Sequence, residues 1–275
     1  MEKNLFQSHW VRVSMTWLAA IIWCFLFLCI LSVMSEAQET ETLTDKKAGV
    51  VFELGAIGTV APSYEGAKRF VAYPLPVIRF HSLRLKNGLE LGGGDGQGFS
   101  IYPSLVYRAK RSSTKDLALT GLSDVGEALE LGAGIAYRME NVRAFVDLRY
   151  GAIGHNGIVG ETGIDVIVKP TAKLTLSAGP RLSFASKDYM DTYFAVSSAD
   201  AAASGLAQNT VSGGFKSAGV KANMRYDLTD SWAIEGVTGW DRLIGDAASS
   251  PITSLGNRNQ LTFGLGFTRK FKIGF

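Results

Sequence analysis

The last stretch of the chain, residues 260–275, alternates between two kinds of residue at every second position. One set consists of leucines, phenylalanines, an isoleucine and one arginine, and the other of glycine, threonine, glutamine and lysine. A period of two predicts a β-strand with one apolar and one polar face. Such a strand suits a transmembrane barrel, in which lipid-facing and lumen-facing residues alternate. An amphipathic strand of a soluble β-sandwich is the alternative.

The same alternation recurs through most of the chain. Eleven strand-like segments are visible: 49–60, 70–80, 83–93, 98–108, 129–138, 142–150, 161–169, 174–184, 218–227, 232–242 and 260–275. Because a single-chain bacterial barrel normally has an even number of strands, we expect about twelve, with ten as the alternative. The additional strand would lie within 83–93 or 189–196. The first of these segments contains Asn87-Gly88, which predicts either a tight hairpin or a bulge.

Charged residues fall on the face opposite the apolar residues in these segments. They are Glu130, Arg143, Asp147, Arg149, Glu161, Asp165, Arg181, Lys221 and Arg225. In a barrel they would line the lumen, where residues of mixed sign should pair across it. In a soluble sandwich the same residues would face the solvent, so the alternation leaves both classes open.

The connections between segments also alternate in length. Residues 139–141, 170–173 and 228–231 form short turns, whereas 109–126, 186–212 and 243–259 form long connections. Short turns at one end and long loops at the other are typical of outer-membrane barrels. The loop pattern therefore favours the membrane barrel over the sandwich.

The amino-terminal segment has the organisation of a secretory signal peptide. Lys3 and Arg12 precede an apolar run at 17–31, and the small-x-small sequence Ser35-Glu36-Ala37 follows it. An uncleaved anchor over 17–34 is the alternative. The predicted organisation is a cleaved signal peptide at 1–37, a short periplasmic lead at 38–47 and an all-β, antiparallel barrel domain at 48–275. We therefore expect the protein in the outer membrane of a Gram-negative bacterium.

Composition narrows the function classes. The net charge of +3 is too small to indicate nucleic-acid binding, and an apolar fraction of 47% is too low for a helical membrane bundle. Both cysteines, Cys24 and Cys29, lie in the predicted signal peptide. The mature chain would have no thiol, which is compatible with an oxidising compartment.

Candidate catalytic and metal-binding residues are few. The predicted mature chain has two isolated histidines, His81 and His155, without a clustered set of metal ligands. His155 is followed by the turn dipeptide Asn156-Gly157, and no serine stands in a motif with it. We predict no catalytic residue, no metal site and no cofactor, with a barrel hydrolase as a less favoured alternative.

The chain ends on an aromatic residue. Phe271, Ile273 and Phe275 are the last three residues of the alternating apolar set. This pattern resembles the carboxy-terminal signal that the barrel-assembly machinery reads in outer-membrane proteins. It therefore implies the barrel-assembly machinery and outer-membrane lipid as partners.

Five motifs occur in one order along the mature chain. They are Pro62-Ser63-Tyr64-Glu65-Gly66, Tyr73-Pro74-Leu75-Pro76, residues 119–125 (LTGLSDV), residues 191–196 (DTYFAV) with Ser204-Gly205-Leu206, and residues 242–252 (RLIGDAASSPI). Together they resemble the MltA-interacting protein family, also called MipA/OmpV. The motif residues of interest are Pro62, Tyr64, Gly66, Tyr193, Gly205, Asp246, Ser250 and Pro251.

This resemblance implies a function as well as a fold. It implies an outer-membrane scaffold that docks a lytic murein transglycosylase and a peptidoglycan synthase. The alternative is a small-solute channel, which the charged lumen face would suit.

Overall fold

The computed structural model describes residues 48–87, 90–91 and 97–275, which form one antiparallel sheet rolled into a barrel. The predicted signal peptide and periplasmic lead lie outside the described residues. The strands are β1 (Gly49–Pro62), β2 (Phe70–Arg84), β3 (Glu90–Leu91), β4 (Gly98–Arg108), β5 (Ala128–Arg138), β6 (Val142–Ile153), β7 (Ile158–Val168), β8 (Leu174–Ala185), β9 (Gly214–Asp227), β10 (Trp232–Leu243) and β11 (Asn259–Gly274). Their order in the sheet is β3-β2-β1-β11-β10-β9-β8-β7-β6-β5-β4.

Within the described residues the barrel has ten long strands and the two-residue β3, so the alternative count of ten is confirmed and the favoured count of twelve was wrong. Among the described residues of the segment 83–93, Leu83 and Arg84 pair with Leu91 and Glu90, which makes a short hairpin instead of a further full strand.

The other candidate strand, 189–196, is largely helical and belongs to α1 (Lys187–Phe194). Its buried residues Tyr189, Met190, Tyr193 and Phe194 follow the spacing of one helix face. That spacing differs from the period of two that a strand requires.

β2 and β4, which lie on the two sides of the gap in the sheet, both contain proline within the strand. Because proline has no N–H for a ladder, the sequence predicts Pro74 and Pro76 at a bulge or a strand end. Both instead lie inside β2, opposite Gly58 and Ala56 of β1. β2 and β4 lie alongside each other without a ladder between their described residues, so the barrel is nearly closed. Proline cannot donate to a ladder and is tolerated on such an edge.

The two faces of the sheet have the polarity of a membrane barrel. Leu265 is 62% exposed and Ile135 is 54% exposed on the outer face, whereas Glu53 and Glu130 are fully buried inside. All nine charged residues that the alternation assigned to the lumen are at least partly buried and form ion pairs there. The lumen assignment and the predicted cross-pairing are confirmed.

The three predicted short turns, 139–141, 170–173 and 228–231, lie at one end of the barrel, with the first residue of β1 and the last residues of β11. We call this the periplasmic end and the opposite one the outer end, following the layout of outer-membrane barrels. Residues 63–69, 109–127, 186–213 and 244–258 at the outer end form a structure that we call the outer cap. It contains α1, α2 (Ser198–Ser204), α3 (Gly245–Ser249), α4 (Pro251–Ser254) and a 3-10 turn (Leu117–Leu119). None of the described helices is long and apolar enough to cross a membrane.

Candidate functional site: the outer cap and the charged lumen

The outer cap has an apolar core of its own. Tyr189 and Phe194 of α1 are fully buried and pack in one cluster with Val159, Ala185 and Leu243, which lie at the outer ends of β7, β8 and β10. The cap therefore packs onto the outer mouth of the barrel. Apolar burial of this kind is the main force that holds a loop assembly in one arrangement.

A second apolar cluster joins four different connections. It contains Leu119, Leu122, Val196 and Ile252, with Tyr64 packed against it. These residues come from the connections β4–β5, β8–β9, β10–β11 and β1–β2. The cluster therefore links loops that are far apart in the sequence.

Hydrogen bonds to main-chain groups reinforce the outer cap. Arg111 Nη1 donates to the carbonyl oxygen of Tyr193 at 2.8 Å, and Ser250 Oγ donates to that of Phe194 at 2.6 Å. Asp200 accepts from the N–H of Ser123 at 2.8 Å. The first two bonds satisfy buried carbonyl groups at the end of α1, which would be costly to leave without a donor.

The structure brings most of the motif residues together in the outer cap. Pro62 ends β1, and the others lie in the cap: Tyr64, Gly66, Tyr193, Gly205, Asp246, Ser250 and Pro251. Ser250 caps the amino end of α4, and Pro251 is at the first position of that helix. Their contacts build the cap.

Gly66 shows why one of these motifs needs its residue type. Its φ is +101°, and a Cβ there would lie 3.1 Å from Thr253 Oγ1. Its N–H donates to Gln260 Oε1 at 3.0 Å, and its carbonyl oxygen accepts from Asn257 at 2.7 Å. Glycine tolerates both the backbone conformation and the close approach.

Glu65 points from the β1–β2 connection to a group of buried partners. Its carboxylate accepts from Arg108 Nη1 at 3.0 Å, from Tyr189 Oη at 3.0 Å and from Lys216 Nζ. Burial alone would raise the pKa of Glu65, but the charges of Lys216 and Arg108 outweigh it and lower that pKa to about 2. Burial raises the pKa of Tyr189 well above its ordinary value, so its hydroxyl remains a donor.

Glu130 continues this group further into the barrel. It accepts from Arg108 Nε and from Arg149 Nε, the latter at 3.2 Å, and His155 Nε2 lies 3.4 Å away. His155 Nδ1 accepts from the N–H of Gly157 at 3.1 Å, which places the ring proton at Nε2. Burial lowers the pKa of His155, so the ring is neutral.

A second group of charges lies on the inner faces of β6, β7, β8 and β9. Asp165 accepts from Arg181 Nη2 at 2.6 Å, and Glu161 accepts from Lys221 Nζ at 2.9 Å. The guanidinium groups of Arg143 and Arg181 lie 4.8 and 4.9 Å from the ring centre of Phe145. The cations are therefore held both by carboxylates and by an aromatic face.

A third group lies toward the periplasmic end. Glu53 accepts from Arg225 Nη1 at 2.7 Å and from Thr268 Oγ1 at 2.6 Å. Glu235 accepts from the same Arg225 nitrogen at 2.8 Å and from Arg79. β2, which carries Arg79, and β10, which carries Glu235, are not neighbours in the sheet, so this ion pair bridges the lumen.

Each carboxylate in the three groups described above is paired with at least one base. The polar partners of His81 and His155 within the described chain are glutamates and one backbone N–H, and the side chain of His155 is fully buried. The described residues contain no group of three or more histidine, cysteine, aspartate or glutamate side chains that could hold a metal ion.

Sequence reasoning missed the cations that hold Glu65. Lys216 lies at a register shift where Ser183 pairs with Ser217 but Phe184 pairs with Phe215. This bulge places Lys216 inside, next to Ser217, although regular alternation would place it outside. Arg108 could have been assigned to the lumen from the sequence. It is four residues from Ser104 on β4 and therefore lies on the same, inward face.

The carboxy-terminal residues lie where the first and last strands meet. Phe271 pairs with Phe52, and their rings stack with centres 5.4 Å apart. Ile273 pairs with Val50, and the N–H of Phe275 donates to Ala48 at 3.1 Å. Their role as an assembly signal stays a prediction.

An antiparallel barrel with an apolar outer face, a charged interior, short turns at one end and long loops at the other is an outer-membrane β-barrel. The family model of the MltA-interacting protein MipA matches residues 54–271. The chain belongs to this family and lies in the outer membrane of a Gram-negative bacterium.

Solved structures of outer-membrane proteins are similar to the chain at low sequence identity. OprG from Pseudomonas aeruginosa is 11% identical with a TM-score of 0.32, and the match covers 82% of this chain and 97% of OprG. The NanC porin is 10% identical with a TM-score of 0.35, covering 82% and 100%. The protease OmpT from Escherichia coli is 10% identical with a TM-score of 0.30, covering 86% and 99%. No curated protein matches the chain.

Proposed function

We propose that the protein is an outer-membrane anchor with a blocked lumen, and that it docks peptidoglycan-remodelling enzymes at its periplasmic end. The partners are a lytic murein transglycosylase and, through it, a peptidoglycan synthase. The family description, MltA-interacting protein, supports a partner of the first kind. The proposal includes no catalytic activity of the barrel itself.

The observation that carries this proposal is the set of ion pairs that cross the lumen beneath the outer cap. Arg79 and Glu235 join β2 to β10, and Arg225 and Glu53 join β9 to β1. Each of these pairs connects strands that are not neighbours in the sheet. A lumen crossed in this way supports a function at the surface of the barrel over transport through it.

The periplasmic turns offer apolar contact points for a partner. Met139 in the β5–β6 turn is 51% exposed, and Leu228 in the β9–β10 turn is 41% exposed. The β7–β8 turn, residues 169–173, has no large apolar residue; its apolar residues are Pro170 and Ala172. Exposed apolar residues at the centre of an interface contribute much of its binding free energy.

Purified protein in detergent, incubated with a purified lytic murein transglycosylase and a chemical cross-linker, tests the docking. We expect a cross-linked complex that Met139→Glu with Leu228→Glu weakens about tenfold or more in apparent affinity. Lys173→Glu in the third turn is the control and should bind like the wild type. Failure of the wild type to capture the transglycosylase would contradict the proposal.

The channel and the hydrolase make different predictions. In planar bilayers a closed anchor produces no discrete conductance steps, and a steady ohmic conductance would favour the small-solute channel. A hydrolase would turn over a short-chain ester and lose this activity in His155→Ala. Equal background turnover by the wild type and the variant is the result expected from an anchor.

A further inference from the structure

A cavity of about 530 Å³ opens on the outer surface of the barrel, at its outer end. It lies where the β1–β2 connection meets the ends of β10 and β11. Its lining includes Lys68, Phe70, Trp240, Arg242, Asn259 and Leu261. The cavity is separate from the lumen and from the ion pairs described above.

The strand register orders these residues by depth in the membrane. Trp240 pairs with Leu261, and Phe70 of β2 pairs with Pro62, the last residue of β1. Phe70, Trp240 and Leu261 are 45%, 41% and 39% exposed on the lipid-facing side. They form an apolar band near the outer end of the barrel, where aromatic residues of such barrels meet the interface.

The two cations lie one step further out. Lys68 precedes Phe70 by two residues, and Arg242 follows Trp240 by two residues toward the outer end of β10. Two residues of β10 span roughly 7 Å, and Lys68 lies in the β1–β2 connection, beyond the outer end of β2. The two cations therefore lie nearer the outer end of the barrel than the apolar band. A lipid of the outer leaflet has its headgroup and acyl chains in the same order.

These cations are not neutralised by the protein. Lys68 and Arg242 are exposed and form no ion pair with any residue that the structure describes, and Arg242 Nη1 donates only to Asn259 Oδ1 at 3.3 Å. Of the other exposed lysines of the outer cap, Lys110 pairs with Asp124 at 2.9 Å and Lys187 with Asp191 at 2.5 Å, whereas Lys115 has no ion pair with a described residue and lies away from the cavity. The cavity thus combines unpaired positive charge with an apolar floor.

We propose that this cavity binds a phosphorylated lipid of the outer leaflet. The two cations contact its phosphate, and the apolar band supports the upper part of an acyl chain. Basic pockets beside apolar membrane surface recognise anionic headgroups, and each nearby cation strengthens the attraction. Neutral phospholipids lack the net negative charge that the cations require.

The test measures binding of diphosphoryl lipid A to the refolded, lipid-free protein in detergent by native mass spectrometry. We expect Lys68→Gln with Arg242→Gln to weaken binding about tenfold. The matched control removes two exposed cations that lie elsewhere, Lys115→Gln with Lys173→Gln, and should leave binding unchanged. An equal loss in both double variants, or no loss in the first, overturns the proposal.

Two further experiments distinguish specific binding of the lipid from binding of a free anion and from nonspecific hydrophobic contact. Trp240→Ala should weaken binding, whereas Trp232→Ala, at the other end of the same strand, should not. Inorganic phosphate should fail to displace the lipid, and phosphatidylcholine should bind far more weakly than lipid A. Displacement by phosphate, or equal binding of phosphatidylcholine, would contradict a site for an anionic phosphorylated lipid. Heat-modifiable migration on a gel confirms that each variant is folded.

Discussion

Glu65 and Lys216, 151 positions apart in the chain, form a buried ion pair that ties the β1–β2 connection to the outer end of β9. Arg108 of β4 shares the same carboxylate. The outer cap is thus anchored by charge to strands on different sides of the barrel. This relationship makes Glu65 the most informative residue for testing how the cap is held.

Replacement of Glu65 by Gln should destabilise the protein. It leaves two buried cations, Lys216 and Arg108, without their shared carboxylate, and breaking a buried pair costs on the order of 3 kcal/mol. The free energy of unfolding, measured by urea titration in detergent, checks this. Asp191→Asn is the control, because it breaks the exposed pair with Lys187 and should cost less than about 1 kcal/mol. Equal effects of the two changes would contradict the assigned role.

Acid should weaken the ion pairs that Glu65 forms with Lys216 and Arg108. The folded-state pKa of Glu65, about 2, is below its ordinary value of 4.5, so its stabilising contribution is complete above pH 4.5. It is lost as the pH falls from 4.5 toward about 2, because the unfolded chain then binds the proton more readily. The unfolding midpoint of the wild type should fall across this window, and that of Glu65→Gln should fall less. Parallel curves would show that Glu65 does not titrate as proposed.

Gly66→Ala should destabilise the outer cap. The new Cβ would meet Thr253 in a backbone conformation with φ of +101°, which costs a side-chain-bearing residue about 1 to 2 kcal/mol. Gly126→Ala is a matched control, because a Cβ at that loop position has no heavy atom within 4 Å. Limited proteolysis of the outer loops, together with urea unfolding, measures both variants. The prediction fails if Gly66→Ala is as stable as the control.

The lipid-facing assignment can be tested by labelling. The two native cysteines lie at positions 24 and 29, in the predicted signal peptide, so single cysteines can be introduced into the mature chain. Leu265→Cys should resist a water-soluble thiol reagent in membranes, because position 265 faces acyl chains. Lys115→Cys in the outer cap should react quickly. Fast labelling at position 265 in intact membranes would show that this face is in water.

Assembly should depend on the carboxy-terminal aromatic residue. We expect Phe275→Ala to lower the fraction of folded barrel in the outer membrane, because the terminal strand carries the predicted recognition pattern. The measurement is the ratio of heat-modifiable to unfolded protein in membrane fractions. Phe263→Ala removes an aromatic ring from the same face of β11 outside this terminal pattern and should assemble normally. A normal ratio in Phe275→Ala would exclude the terminal ring from recognition.

The pattern of apolar and polar residues along the chain was sufficient to predict the class of fold and the polarity of both faces of the sheet. It also predicted the alternation of short turns and long loops. Period-two alternation is a property of each strand's own backbone, so Glu130, Arg149 and Asp165 could be assigned to the lumen from neighbouring residues alone. The motifs were also sufficient for the family. The strand count was harder to predict, because residues 83–93 and 189–196 were both candidates for a further strand. The structure has the two-residue β3 in the first segment and mostly helix in the second.

The partners of the charges could not be predicted from the chain. Lys216 turns inward because a bulge between β8 and β9 shifts the register, and a bulge depends on how two strands align. Glu65 meets Lys216 because the barrel brings a loop residue over a strand that is distant in sequence. Local backbone geometry assigns residues to a face, whereas closure of the sheet and packing of the cap determine which charges meet.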